Sequence, residues 1–207
     1  MPLNIAILAW EYPPRIIGEM AYYVQKLALE ISKRDHVSVI TTHDAPYSHE
    51  KVSNGFEIYR LQNPVEPHVN VVTWAQSLCA EVQRMVADIY YDEPERLDMI
   101  DTHEWQFAAA AVGLKKALHL PFVLTLHSLE DHRSSDPSLP LSISIRGLES
   151  LGSYECEKVV TSSDRMRSEV ERVHKVPSFK VRTVIPGSHS WAEQTAQVYH
   201  ETSGYRL

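Results

Sequence analysis

The sequence predicts an α/β fold, built as a doubly wound and mainly parallel β-sheet with helices on both faces. Short apolar runs alternate with segments of helical periodicity, and this alternation extends along nearly the whole chain. Neighbouring parallel strands need a crossover connection, usually a helix, so the alternation is typical of such a sheet. With 207 residues, 43% of them hydrophobic, the chain is large enough for one full core.

Seven short apolar runs predict the strands of this sheet. In chain order they are LNIAILAW (3–10), HVSVITT (36–42), GFEIYRL (55–61), LDMIDTH (97–103), PFVLTLH (121–127), EKVVTSS (157–163) and FKVRTVIP (179–186). The third run is preceded by Asn54-Gly55, a dipeptide that favours tight turns.

Six segments with a helical pattern lie between these strands or follow them. They are 18–34, 69–91, 105–119, 142–156, 164–174 and a last helix that begins at Ser190. In the first, Met20, Val24, Leu27 and Ile31 have the three- or four-residue spacing of one apolar helix face. Asp164 is the predicted N-cap of the fifth helix, and HRSSDPSLP (132–140) predicts an exposed loop.

Composition and charge argue against several classes of partner and location. The net charge of −7 disfavours binding to nucleic acids and to anionic membranes, because both require a basic surface. No run reaches the roughly 18 apolar residues of a membrane span. The first residues lack the basic segment of an export signal, so Cys79 and Cys156 are predicted to be free thiols of a cytoplasmic protein.

The ends of the predicted strands indicate where a ligand would bind. In open sheets of this Rossmann-like kind, ligands bind outside the carboxyl ends of the strands. EYPPRIIGE follows the first strand, and HEW, HSLED and SSD follow the fourth, fifth and sixth. His103 and His127 therefore lie at equivalent strand ends, and His43 lies just past the second strand.

Several of these segments together resemble the amino-terminal domain of GT-B glycosyltransferases, in particular family 4 and the related glycogen and starch synthases. The resemblance spans about residues 3–187. The segments that carry it are WEYPPRIIGE (10–19), THEW (102–105), LTLHSLE (124–130) and RGLESLGSYECEKVVTSSDRMRSEV (146–170). It implies one of two Rossmann-like domains that face a cleft, with the acceptor held mainly by this domain and the nucleotide-sugar by a second domain.

The resemblance also implies roles for individual residues. His127 matches the histidine at the reaction centre, and an imidazole can donate or accept a hydrogen bond at neutral pH. His103, Glu104 and Trp105 match a His-Asp-Trp triplet, with Glu in place of Asp, and are expected to contact a sugar acceptor.

The loop after the first strand is expected to serve both substrates. Glu11 and Arg15 are further candidates for acceptor contacts. Gly18 matches the first of two glycines that approach the donor phosphates at a helix start. Glu19 replaces the second glycine and adds a negative charge where phosphate oxygens would come near.

The end of the chain suggests a missing domain. In the resembling family, a Pro-Asn-Gly linker leads into the second domain, and the last helix, which often begins with Ser-Trp, returns to the first. Here IPGSHSW joins the two segments directly. We therefore expect an acceptor-side domain over residues 1–187 and a helix over 188–207 that packs back on it, by engineered or natural deletion. An ordinary last helix of a single-domain protein is the alternative.

The expected activity follows from what the chain lacks. The resemblance implies that donor phosphates are held by an Arg and a Lys of the second domain, with a Glu-x7-Glu motif in a glycine-rich context, and none of these is recognisable here. The chain is thus expected to bind a sugar or glycan acceptor, to bind a nucleotide-sugar only with a second domain, and to be inactive alone. Neither a cofactor nor a metal is expected. The alternatives are a stand-alone sugar-binding or regulatory module, and an unrelated Rossmann-like enzyme with a complete site.

Overall fold

The computed structural model describes residues 2–65, 70–92 and 97–204, and it has the predicted α/β architecture. The strands are β1 Asn4–Ala9, β2 His36–His43, β3 Ser48–Ser53, β4 Phe56–Gln62, β5 Met99–His103, β6 Phe122–Leu126, β7 Lys158–Thr161 and β8 Val181–Thr183. The helices are α1 Glu19–Ile31, α2 Val71–Tyr91, α3 Ala108–Leu118, α4 Glu130–Arg133, α5 Pro140–Glu155, α6 Asp164–His174 and α7 Trp191–Ser203, and a 3-10 turn covers Ser178–Lys180.

The strands form a single sheet in the order β3-β4-β2-β1-β5-β6-β7-β8. Every pair is parallel except β3 with β4, which is antiparallel. From β1 the chain proceeds outward to β2 and later returns to the other side of β1 as β5. The carboxyl ends of β1 and β5 therefore border the point where the strand order reverses, which is the usual ligand crevice of such sheets.

Each face of the sheet has its own hydrophobic core. Alternate residues of β1 divide between the two, with Ala6 and Leu8 on one face and Ile5, Ile7 and Ala9 on the other. The first face is covered by α2, α3, α5 and α6, and the second by α1 and α7. This two-sided cover explains why the strands are almost continuously apolar rather than alternating.

Three local predictions needed correction. The edge strand β3 was not predicted, because its residues Ser48–Ser53 are polar and mostly exposed. It joins β4 through Asn54-Gly55, and Gly55 has a positive φ of 81°. The segment 132–140 is not all loop, because α4 ends at Arg133 and α5 begins at Pro140.

The third correction concerns a helix cap. Ser163, and not Asp164, caps α6, because its side chain accepts a hydrogen bond from the Met166 N–H, which would otherwise have no helical partner. Asp164 is the first residue of the helix.

The last helix, α7, belongs to the core on the second face of the sheet. Ser190 is its N-cap, and Trp191, Thr195, Val198 and Tyr199 are buried against α1 and the sheet. Cys79 and Cys156 are free and buried. Among the described helices, none has the length and apolar character needed to cross a membrane.

Candidate functional site

The candidate site lies at the carboxyl edge of the sheet, beside the reversal point. His103 ends β5, and His127 directly follows β6. Tyr23 of α1 packs edge-on against both rings, with centroids 5.8 Å from His103 and 4.7 Å from His127. The two histidines therefore converge at the edge where α1 begins after Gly18, as the sequence predicted.

The two imidazole rings meet edge to edge. His103 Nδ1 and His127 Nε2 are 2.9 Å apart, whereas the ring centroids are 5.3 Å apart and the planes differ by 16°. The nitrogen separation is much shorter than the centroid separation, so the rings share nearly one plane and form a direct hydrogen bond. His103 is fully buried, and His127 is half-buried.

Asp101 supports this pair from inside the sheet. Its Oδ2 lies 3.1 Å from His103 Nε2, which is within ion-pair distance, although the contact does not have the geometry of a hydrogen bond. The same Oδ2 accepts a hydrogen bond from the Tyr199 hydroxyl of α7. Its Oδ1 accepts a hydrogen bond from Thr125 Oγ1 at 3.0 Å. Burial alone would raise the pKa of Asp101, but the charge of His103 and these hydrogen bonds outweigh it and hold the pKa below its usual value.

His127 is held in its neutral form. Burial and the nearby charge of His103 lower the pKa of His127 to about 3, against a smaller opposing effect of Asp101. The ring is therefore uncharged at physiological pH. With Nε2 engaged by His103, Nδ1 is the ring nitrogen that remains for a ligand.

Glu104 connects the two strand ends through the backbone. It has a positive φ of 62°, and its Oε1 accepts hydrogen bonds from the N–H groups of His127 at 2.7 Å and Ser128 at 2.8 Å. Its Oε2 accepts from Arg133 Nη1 at 3.1 Å. Both carboxylate oxygens of Glu104 are thus hydrogen-bonded within the protein, and they hold the loop that carries His127. Burial raises the pKa of Glu104 despite Arg133.

Trp105 and His103 are both buried. Trp105 is 4% exposed and belongs to the core on the α2 and α3 face of the sheet, so its indole is not a free stacking wall. His103 is 0% exposed and can act only through His127. Of the residues predicted to meet acceptor and donor, His127, Arg15, Gly18 and Glu19 are the ones that are not buried.

Glu11 occupies the start of α1. Its carboxylate, 5% exposed, accepts hydrogen bonds from the backbone N–H groups of Ile17 at 2.5 Å and Gly18 at 2.7 Å. Donors and helix dipole at this end would favour an anion, and here an internal carboxylate provides the charge. Glu19 is exposed and begins the helix.

Arg15 is held by aromatic rings and by an ion pair. Its guanidinium packs over the rings of Trp10 and Trp74, at 5.4 and 5.8 Å from their centroids. It also bonds to Asp44 at 3.1 Å and to the Trp10 carbonyl at 3.0 Å. Its predicted contact with an acceptor stays a prediction.

Four residues of the site were not singled out from the sequence, namely Tyr23, Asp101, Arg133 and Tyr199. Asp101 had a usable signal, because an acid inside an otherwise apolar strand must be paired if it is buried. The others are identified by contacts that the chain forms only when folded. The described residues contain no group of three or more His, Cys, Asp or Glu side chains that could hold a metal ion.

Comparisons with known proteins identify the family of this chain. Residues 18–187 match the family described as glycosyl transferase 4-like domain. The chain is 30% identical over 206 residues to an uncharacterized glycosyltransferase of Methanocaldococcus jannaschii, covering 99% of this chain and 51% of that protein. It is 24% identical over 184 residues to a glycogen synthase of Mycobacterium tuberculosis, covering 81% of this chain and 44% of that protein.

Solved structures share the fold. One chain of sucrose-phosphate synthase from Thermosynechococcus elongatus superposes with a TM-score of 0.70 at 17% identity, covering 96% of this chain and 98% of that one. The present chain spans about half the length of the curated relatives it matches. The protein belongs to the glycosyl transferase 4-like family and is a glycosyltransferase domain of the GT-B type.

Proposed function

We propose that this chain forms the acceptor side of a glycosyl-transfer site and binds a sugar or glycan acceptor at the sheet edge that carries His127. A nucleotide-sugar donor would bind only when a second domain is present, and the chain alone would be inactive. The observation that carries the proposal is the half-buried, neutral His127 beside the start of α1.

A neutral imidazole suits an uncharged sugar ligand. Sugar hydroxyls both donate and accept hydrogen bonds, so they can pair with His127 Nδ1 without a charge on the ring. A buried cation at this position would cost desolvation energy that a sugar hydroxyl could not offset. Glu104 and Arg133 support the site by fixing the backbone on both sides of His127.

The expectation that the chain alone binds a nucleotide-sugar donor weakly rests on charge. The N–H groups of Ile17 and Gly18, which could meet donor phosphates, already bind the Glu11 carboxylate. A diphosphate would have to displace this carboxylate or share the helix start with it, and Glu19 adds a second negative charge nearby. Stabilising a leaving diphosphate requires fixed positive groups, which we assign to a second domain.

The division of the chain follows the same reasoning. We propose that residues 1–187 are the acceptor-side domain and that 188–207 form the last helix of a larger parent, packed back on the first domain. The half-length match to the curated relatives supports this division. A cytoplasmic location remains a prediction from the sequence.

A stand-alone sugar-binding module is the second candidate. It is favoured by α7, which buries Trp191 and Tyr199 against the sheet and so completes a core without a second domain. Turnover with a separately produced donor-side domain of a relative would favour the acceptor-side function over this module.

Binding measurements on the 207-residue chain test the proposal. We expect calorimetry to detect maltohexaose, a fragment of the glucan that a glycogen synthase name implies, and to show no UDP-glucose or ADP-glucose binding tighter than about 1 mM, or roughly 4 kcal/mol. His127→Ala should abolish maltohexaose binding, whereas replacement of the exposed His119 should not. Micromolar donor binding would overturn the half-site assignment and favour a complete single-domain site.

A further inference from the structure

We propose that Asp101 and Tyr199 are positioning residues that keep His103 protonated and thereby fix His127 as a hydrogen-bond donor through its Nδ1. This inference rests on the proposed role of His127 in ligand binding. It specifies what the ligand must present at that point, namely an oxygen that accepts a hydrogen bond.

The first step is the charge on Asp101. The carboxylate is fully buried and accepts hydrogen bonds from the hydroxyls of Thr125 and Tyr199. These hydroxyls come from β6 and from α7, so the carboxylate is held from two directions. Hydrogen bonds donated to a carboxylate favour its ionised form.

The second step is the compensating charge on His103. A buried carboxylate without a partner is strongly destabilising, so a cation has to lie close to it. Within residues 2–65, 70–92 and 97–204, the basic side chain at ion-pair distance from Asp101 is His103, whose Nε2 is 3.1 Å from Oδ2. His103 is itself fully buried, which makes a protonated ring tolerable only because of this carboxylate.

The third step fixes the proton positions on His127. A protonated His103 carries hydrogen on both ring nitrogens, so its Nδ1–H donates to His127 Nε2 across 2.9 Å. His127 must then be neutral, because Nε2 serves as an acceptor and a second cation would face the first. Its remaining proton lies on Nδ1, which can donate to a ligand but cannot act as a base in this state.

Other titratable groups around the pair are compatible with this arrangement. Tyr23 of α1 packs on both rings and is half-buried, and desolvation and Asp101 raise its pKa, so it stays uncharged. Tyr199 of α7 stays uncharged for the same two reasons. Glu104 accepts a hydrogen bond from the backbone N–H of His127, and its other oxygen forms an ion pair with Arg133.

The position of Tyr199 gives the last helix a part in the site. Trp191 of the same helix packs on Tyr23, with centroids 5.4 Å apart. We call the chain of contacts Asp101–His103–His127 the relay. Helix α7 contacts it directly, through the Tyr199 hydroxyl on Asp101, and indirectly, through Trp191 on the Tyr23 ring. We infer that α7 contributes to the chemistry of His127 as well as to the core.

Nitrogen-15 spectra of the histidine rings test the proton positions directly. The 207-residue chain would be measured from about pH 5 to about pH 8, the range in which an ordinary histidine loses its proton. We expect His103 to be doubly protonated and His127 to carry its proton on Nδ1, as the contact of the two rings and the position of Asp101 imply. A neutral His103, or a His127 protonated on Nε2, would overturn the proposal.

Two variants test the assigned causes. Asp101→Asn removes the charge with little change of shape and should leave His103 neutral at about pH 7, with loss of the fixed Nδ1 proton on His127. Tyr199→Phe should shift His103 less far in the same direction, because a carboxylate with one hydrogen bond fewer holds the shared proton more strongly. Tyr22→Phe, at an exposed tyrosine of α1, is the matched control and should change neither ring.

The variants remain decisive if one of them misfolds. Should Asp101→Asn fail to fold, the wild-type spectra and Tyr199→Phe still distinguish the relay from a purely structural contact. Unchanged histidine spectra in a folded Asp101→Asn variant would contradict the proposal.

A maltohexaose titration of the same samples separates this inference from the proposed function. The expected ring spectra without any sugar binding would refute the acceptor role while leaving the relay intact. If the sugar binds while the His127 proton is distributed over both ring nitrogens, the relay would be refuted and the acceptor role would stand.

Discussion

At the scale of single residues, the protonation of His127 couples the site to stability. The ring is neutral in the folded chain because burial and the adjacent His103 disfavour a second charge. In the unfolded chain the same ring would have its ordinary pKa of 6.5. Between the folded pKa of about 3 and 6.5, the unfolded chain therefore binds a proton that the folded chain does not.

This difference predicts a pH dependence of stability that can be assigned to one residue. The contribution is fully present above about pH 6.5 and is lost as the pH falls toward about pH 3, by up to about 1.4 kcal/mol per pH unit. His127→Gln should flatten the fall in urea-unfolding free energy between about pH 7 and about pH 5. The exposed His119→Gln is the control and should parallel the wild type. A His127→Gln curve with the wild-type slope would contradict the assignment.

At the scale of elements, α5 shows how closely the helices approach the sheet. It carries two glycines in different surroundings. A methyl group at Gly152 would lie 3.0 Å from Ala108 Cβ of α3 and 3.1 Å from Leu124 Cδ2 of β6, whereas nothing lies within 4 Å of the corresponding point at Gly147. The absence of a side chain at Gly152 therefore sets the distance of α5 from α3 and from the strand that leads to His127.

Alanine at the two positions should have opposite effects. Gly152→Ala is expected to destabilise the chain by about 1–3 kcal/mol, because neither neighbour can move without disturbing the core. Gly147→Ala should stabilise it by up to about 1 kcal/mol, because alanine has a higher helix propensity than glycine at an exposed position. Chemical denaturation of both variants measures the two changes, and equal effects would show that Gly152 is not a close-packing position.

At the scale of the whole molecule, α7 completes the second face of the sheet. Its buried residues Trp191, Val198 and Tyr199 belong to the same core as α1 and β1. A 13-residue helix is marginal in water by itself, so its stability comes from this packing. Removing it would uncover apolar sheet and take away the Tyr199 hydroxyl from Asp101.

Deletion of residues 188–207 should therefore lower both stability and solubility. Burial of a Trp and a Tyr contributes several kcal/mol at about 25 cal/mol per Å², and each kcal/mol corresponds to about 2–4 °C for a chain of this size. We expect the melting temperature to fall by more than about 5 °C. Gln197→Ala, on the exposed face of α7, should leave it unchanged. An unaltered melting temperature after the deletion would show that α7 is not part of the core.

The sequence was sufficient for the architecture and for the convergence of His103 and His127. Apolar periodicity is a local property, and it predicted seven of the eight strands, because those strands are buried on the sheet. The polar edge strand β3 has no such pattern and was missed. The convergence of His103 and His127 followed from topology, because the carboxyl ends of neighbouring parallel strands share one edge.

Only the tertiary structure decided how the site residues are used. By residue type Glu104 and Trp105 suit a sugar, yet Glu104 is bound to the His127 loop and Trp105 is in the core. Asp101 and Tyr199 are separated by 98 residues along the chain and meet in a buried hydrogen bond. The physical reason is that the role of a buried polar group depends on its hydrogen-bond partner. That partner is selected by folded distances, which residue type and spacing do not contain.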